Sequence, residues 1–259
     1  MKLSFSGVDG IPMVQPGDDI VTLIHNGLIG MDQELKENDV VVIAQKIISK
    51  AENRYLDLTT LSPSEQARRI ALEVDKDPRK VQAILDESKE VVRSRPGVLI
   101  VEHRLGFVQA NAGIDQSNIT NDNGEDDDLC LLLPIDADAS ARKVRADIKQ
   151  RFDVEVGVII NDSVGRAWRM GTLGLAIGVA GFTALEDYIG QSDIYGKELA
   201  VTQVAAADEM AAGASLVMGQ TVEKTPVVLV RGYQPSEPGD ASLSGVGPLL
   251  RPKEMDLFR

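Results

Sequence analysis

Asp162 and Ser163 head the residues whose types and spacing could do chemistry. They follow a short apolar run, Val156 to Ile160, and precede Arg166, Trp168, Arg169 and a glycine-studded stretch to Gly181. A strand that presents a carboxylate and a hydroxyl at its exposed end offers hard oxygen donors suited to magnesium or manganese. Two arginines behind it could grip a phosphate or a carboxylate bidentately. The plain alternative is an Asp–Ser helix cap at a strand–helix junction. A second cluster, Asn111-Ala-Gly-Ile-Asp115-Gln-Ser-Asn118, also follows a strand-like run and sets an Asp among amides and hydroxyls. It could be a polar turn with Asx hydrogen bonds. If the two loops converge, their carboxylates could hold a metal pair of the kind that clamps both sides of a phosphoryl transfer. Lys46 and Lys50, just past the apolar run Asp39 to Ile43, could neutralise phosphates. The chain has no Walker A loop and no GxGxxG directly after a strand, so nucleotide chemistry would have to be built another way.

Other candidates are thinner. His25 and His103 are the only histidines and lie far apart, which argues against a His-based metal centre or a serine triad. Asp208-Glu209 reads as a structural pair on a helix, and Gln220 follows the Gly219 that would end that helix. Cys130 sits in the apolar run Leu129 to Leu133 and reads as a small buried hydrophobe.

The chain of 259 residues can bury a substantial core as one large domain or two interlocked smaller ones. The lone cysteine excludes an internal disulfide and favours a reducing cytoplasm. No apolar run is long enough to span a bilayer, and the N-terminus lacks a signal-peptide core, so no membrane partner is expected. A formal net charge of −13 argues against nucleic acid as a partner. It leaves room for small anions, because a few cations or a bound divalent metal dominate the field within one pocket.

The elements that must position these residues follow from periodicity. Lys2 to Ser6 alternates as a half-buried strand, Asp18 to Ile29 has weak helical spacing, and Asp39 to Ile43 reads as a buried strand. Residues 62–93 read as a helical hairpin: a capping box at Ser62 to Glu65, then a restart at Asp77-Pro78 with Val81, Ile84, Leu85, Val91 and Val92 along one stripe. Its charges read as a solvated scaffold face. Val98 to Glu102 and Phe107 to Ala110 read as strands. Asn121 to Asp128 is an acidic loop without an EF-hand pattern. Ser140 would cap a helix to about Phe152, giving 129–160 a strand–helix–strand rhythm. Residues 199–218 form a further helix, Pro226 to Val230 a last strand, and 234–259 an irregular tail. The mixture lacks a steady βαβ alternation, so α+β or an irregular α/β fold is expected rather than a Rossmann fold.

The ordered pieces Gly10-Ile11-Pro12-Met13, Ser49-Lys50-Ala51-Glu52, Asn111 to Asn118, Asp162-Ser163-x-Gly165-Arg166, Gly174-x-Ala176-Ile177-Gly178, Asp193-x-Tyr195-Gly196, Ala207-Asp208-Glu209, Met218-Gly219 and Val230-Arg231-Gly232 resemble the coenzyme F-420 γ-glutamyl ligases. The resemblance implies a GTP- and divalent-metal-dependent amide ligase with an unusual two-lobed α+β fold, working as an intertwined homodimer. It adds L-glutamate to the precursor of that deazaflavin cofactor, first by an amide and then by γ-linkages. By resemblance, Asp115, Asp162, Ser163 and Gln220 correspond to positions for two Mg2+ or Mn2+ ions, with K+ a further candidate ion. Ile11, Pro12, Met13, Val14, Gln45, Lys46, Lys50, Asn118, Met218, Gly219 and Gln220 correspond to nucleotide contacts. Lys50, Arg166 and Asp162 are the expected catalytic groups. The ending Leu249 to Arg259 resembles the junction at which some members continue into a nitroreductase-like domain, which is not expected here. Two other functions use the same residues: a metal-dependent nucleotide phosphohydrolase, and a non-catalytic deazaflavin- or nucleotide-binding protein.

Overall fold

The computed structural model describes residues 2–117, 119–121, 124, 125, 127–235 and 245–257. In chain order the strands are β1 Ser4–Gly7, β2 Val40–Ala44, β3 Tyr55–Asp57, β4 Ser88–Arg95, β5 Val98–His103, β6 Val108–Ala110, β7 Thr120–Asn121, β8 Gly124–Glu125, β9 Leu129–Leu131, β10 Gly157–Gly165, β11 Thr172–Ala180, β12 Glu186–Asp187, β13 Gln203–Val204 and β14 Val227–Arg231. The α-helices are α1 Ile20–Gly30, α2 Gln45–Ala51, α3 Glu65–Val74, α4 Pro78–Asp86, α5 Ala137–Phe152 and α6 Ala206–Met218.

The architecture is mixed α/β. Its largest sheet has the order β1-β14-β2-β10-β11, with β2 and β10 parallel and the other neighbours antiparallel. The apolar run of β2 is buried on both faces because helices cover both sides of the sheet. On one side, Val41, Ile43, Val158 and Ile160 pack with α1, α2 and α5. On the other, Val40, Val42, Ile159, Val228 and Val230 pack with α6. A third cluster joins Leu58, α3, α4, Leu99, Val101 and Cys130.

The glycines of β11 explain how closely the helices approach. The register pairs Ile160 with Gly178 and Asn161 with Ala176, so Ile177 is a bulge that flips the facing of the strand. Gly174 therefore abuts α6, where a Cβ would run into the carbonyl of Ala211. Gly178 abuts α5, where a Cβ would run into the carbonyl of Ala137.

Several sequence expectations change. The second helix of the expected hairpin ends at Asp86, and Val91 and Val92 lie in β4. The β-branched pair and the Arg95-Pro96-Gly97 turn form an antiparallel hairpin with β5 instead. Ser64, not Ser62, caps α3, by accepting from the Ala67 amide. Asp136, not Ser140, caps α5, by accepting from the Ala139 amide at 2.8 Å. The helix expected from 199 starts at Ala206, after the short strand β13. Residues 129–160 do hold a strand, a helix and a strand, but β9 pairs with β3 in a separate two-stranded sheet. The first strand, α1, β2, the Asp77-Pro78 restart, β5, β6, β14 and the buried Cys130 agree with expectation. Parts of the acidic loop 121–128 and of the tail lie outside the described residues. Within the tail, residues 245–257 form two short 3-10 turns, Gly247–Leu249 and Lys253–Met255.

Candidate active site

Two parallel strand ends create the site. In β2 and β10, Ala44 pairs with Asn161, so Gln45 opens α2 beside Asp162. Open sheets containing parallel strands commonly bind ligands just beyond such carboxyl ends. β10 does not stop at Ile160, as the sequence suggested. It continues through Asp162 and Ser163 to Gly165, paired with Leu175 and Gly174 of β11, and no helix cap forms there. The apolar run ends early because the core ends, while the backbone ladder continues.

The second loop arrives on its own anchor. Asp115 exchanges backbone hydrogen bonds with Leu131, at 3.0 and 2.9 Å, which fixes the carboxylate beside β9. The two carboxylate loops do converge. Gln45 donates its side-chain amide to Asp115 Oδ2 at 3.1 Å, and Lys46 Nζ stands 3.3 Å from the same oxygen. Lys46 also donates to the Ser117 carbonyl at 3.1 Å. Ser49 donates its hydroxyl to Gln45 Oε1 at 2.9 Å, which sets the amide with its nitrogen towards Asp115. Burial pushes the Asp162 carboxyl up to about 7; the Asp115 carboxylate adds to the shift, while the Ser163 amide at 2.8 Å and Lys46 oppose it. One turn beyond Lys46, Lys50 is buried, and desolvation lowers its pKa; Lys46 acts in the same direction and Asp115 against it.

Strand geometry divides the expected metal positions into two pairs. Successive side chains leave a strand on opposite faces. Asp162 shares the field of Asp115 and Lys46, whereas Ser163 donates to Gln220 Oε1 at 3.0 Å, beyond the end of α6. Gln220 donates in turn to Ser215 at 3.3 Å, and Asn161 donates to Met218 Sδ at 3.4 Å. Gly219 makes this turn possible: its φ is +71°, and a Cβ there would collide with Glu223. Met218, Gly219 and Gln220 are thus beside Ser163 and Asn161.

The remaining expected residues have varied positions. Ile11 and Val14 are buried in one cluster with Ile47 and Ile48 of α2, while Pro12 and Met13 are exposed, so this segment lies along the helix that carries Gln45, Lys46 and Lys50. Asn118 lies outside the described residues. Arg166 is on the exposed β10–β11 turn and donates to the Gly171 carbonyl at 3.2 Å; no hydrogen bond or ion pair joins it to Asp115 or Asp162. Trp168 is 86% exposed on the same turn.

Sequence reasoning missed Lys80. Its helix face reads as solvated, yet it is only partly exposed and donates to the Gln116 side chain, next to Asp115. Burial pushes its pKa down. Its position one residue before the buried Val81 was the available signal, but periodicity alone does not say which loop covers a helix edge. His103 stands in a buried knot around Glu87, 3.4 Å from its carboxylate, with Arg104 at 2.8 Å and Arg54 at 3.5 Å.

The donor set fits hard divalent cations. Among the described residues, no three His, Cys, Asp or Glu side chains gather as a metal cage. Two carboxylates, a hydroxyl and an amide oxygen instead match the habit of Mg2+, which uses one or two carboxylates and completes its shell with water and substrate phosphate.

A model of the F420-0:gamma-glutamyl ligase family matches residues 10–232. The coenzyme F420:L-glutamate ligase of Methanothermobacter thermautotrophicus is 46% identical over 259 residues, all of both chains. That of Methanocaldococcus jannaschii is 43% identical over 226 residues, covering 87% of this chain and 86% of its own. That of Archaeoglobus fulgidus is 39% identical over 259 residues, covering all of this chain and 97% of its own.

Proposed function

The chain belongs to the F420-0:gamma-glutamyl ligase family, and from that premise we propose that it joins L-glutamate to the coenzyme F-420 precursor at the expense of GTP. The observation that carries the chemistry is the convergence of Asp115 and Asp162 beside Gln45, Lys46 and Lys50. Amide formation needs an activated carboxylate. Transfer of the γ-phosphoryl group of GTP to the acceptor carboxylate gives an acyl phosphate and GDP. The amine of glutamate then attacks the acyl carbon, phosphate leaves, and the amine proton is lost to solvent or a base. The first product carries an amide-linked glutamate, and later rounds add γ-linked ones.

Bringing a carboxylate to a triphosphate sets two anions together. Lys46 and Lys50 supply positive charge there, and the low dielectric around Lys50 strengthens its effect. Asp115, Asp162, Ser163 and Gln220 would hold Mg2+ or Mn2+, whose chemistry when bound is to neutralise phosphate oxygens. The two donor pairs are compatible with two ions. Ile11 to Val14 and Met218 to Gln220 flank the site as nucleotide contacts.

A two-lobed, intertwined homodimer suits the exposed apolar side chains Trp168, Met170, Ile194, Tyr195, Val201 and Leu216, which are 84–98% exposed. Among the described residues, no helix is long and apolar enough to cross a membrane. The test is mass spectrometry of the precursor incubated with GTP, L-glutamate and Mn2+: mass gains of successive glutamyl units are expected. GTP hydrolysis without glutamyl gain would instead point to a phosphohydrolase.

A further inference from the structure

A cavity of about 490 Å3 lies against the outer edge of β11, between β6 and the tail segment 249–256. It adjoins the carboxylate pair. Leu175 in its wall is the register partner of Asp162, and Val164 is two residues further along β10 on the same face as Asp162. Its volume is in the range of sites for drug-sized organic molecules, so a lone amino acid would leave most of it empty.

Three features of the wall point to a ligand. Phe107, Val164, Leu175, Ile177, Leu249 and Leu250 make much of it apolar. Asp208 accepts from the Ala176 amide at 3.0 Å, and burial holds its carboxyl above the ordinary range. At the mouth, Lys89 pairs with Glu102 at 3.4 Å and Lys253 with Glu90 at 2.6 Å. Arg251 is exposed and makes no ion pair among the described residues, so it is the cation left for an anion. The tail wall is seated rather than loose: Leu250 packs on Gly106, whose absent Cβ would stand 2.7 Å from it.

We infer that this cavity holds the non-reacting body of the acceptor: an amphipathic organic anion whose apolar part fills the pocket and whose anionic group meets Arg251. The inference rests on the ligase reading above. It makes Arg251 a determinant of acceptor specificity, separate from the phosphoryl chemistry at Asp115 and Asp162.

The experiment is steady-state ligation by the full chain with purified coenzyme F-420 precursor, comparing wild type with Arg251→Glu. The variant should raise the acceptor KM about tenfold, because it reverses a charge at the mouth. The kcat at saturating acceptor and the KM for GTP should stay unchanged. Arg251 is exposed, so its substitution leaves the fold intact. Unchanged acceptor KM in Arg251→Glu, or a GTP KM that moves in step, would overturn the inference while leaving the ligase reading intact. A wild type that adds no glutamate would overturn both.

Discussion

Asp162→Asn should stabilise the metal-free protein while abolishing ligation. The folded carboxyl titrates at about 7 and its ordinary value is 3.8, so the fold holds this proton more tightly than the unfolded chain does. Below the unfolded value both states are protonated and nothing is lost. As pH rises through the window from 3.8 to about 7, the unfolded chain ionises first, and stability falls. Above it the loss is constant. A shift of about three units corresponds to a ceiling of about 4 kcal/mol. Partial exposure of Asp162 reduces this to about 2 kcal/mol. Asn keeps the oxygen that accepts from the Ser163 amide at 2.8 Å and removes the repulsion with Asp115. For a chain of this size the melting temperature should rise by about 4–8 °C at pH 8, and by about a third of that at pH 5. The assay is thermal denaturation of both proteins from pH 5 to 8 with chelator present. A gain that does not depend on pH, or a loss at pH 8, would refute the electrostatic reasoning. Added Mg2+ should stabilise the wild type more than the variant, because only the wild type keeps both carboxylates.

Three further outcomes follow from the packing and the site. Lys50→Met should lower kcat by about 100-fold or more while the melting temperature changes little, because a buried ammonium is exchanged for an apolar chain of similar length; a variant with near-normal turnover would exclude Lys50 from catalysis. Gly178→Ala should cost about 3 kcal/mol in urea unfolding, since its Cβ meets the backbone of α5, which cannot swing aside. Arg231→Met should cost about 3–5 kcal/mol by the same assay, because it strands the Asp39 carboxylate, which is 1% exposed and held by Arg231 at 2.8 and 2.7 Å; a loss below about 1 kcal/mol would mean that Asp39 protonates or is solvated.

Local chemistry was legible in the sequence wherever one segment suffices to decide it. The run from Val40 to Ala44 can only be buried on both faces, and Asp77-Pro78 can start a helix whatever packs on it. The oxygen donors of Asp115 and Asp162 are likewise visible as residue types. Where two segments compete, the sequence misleads: Val91 and Val92 fit a helical stripe until β5 offers them a hairpin. The sequence could not show that Gln45 would meet Asp115, 70 residues away, or that Asp162 and Ser163 would turn to opposite faces because their strand outlasts its apolar run. Nor could it show that Val164 and Leu175 would line a cavity beside Asp162. Propensity and capping are short-range properties of a few neighbouring residues. Desolvation, charge coupling and the shape of a pocket sum over whatever the fold brings near, and only the tertiary structure decides that list.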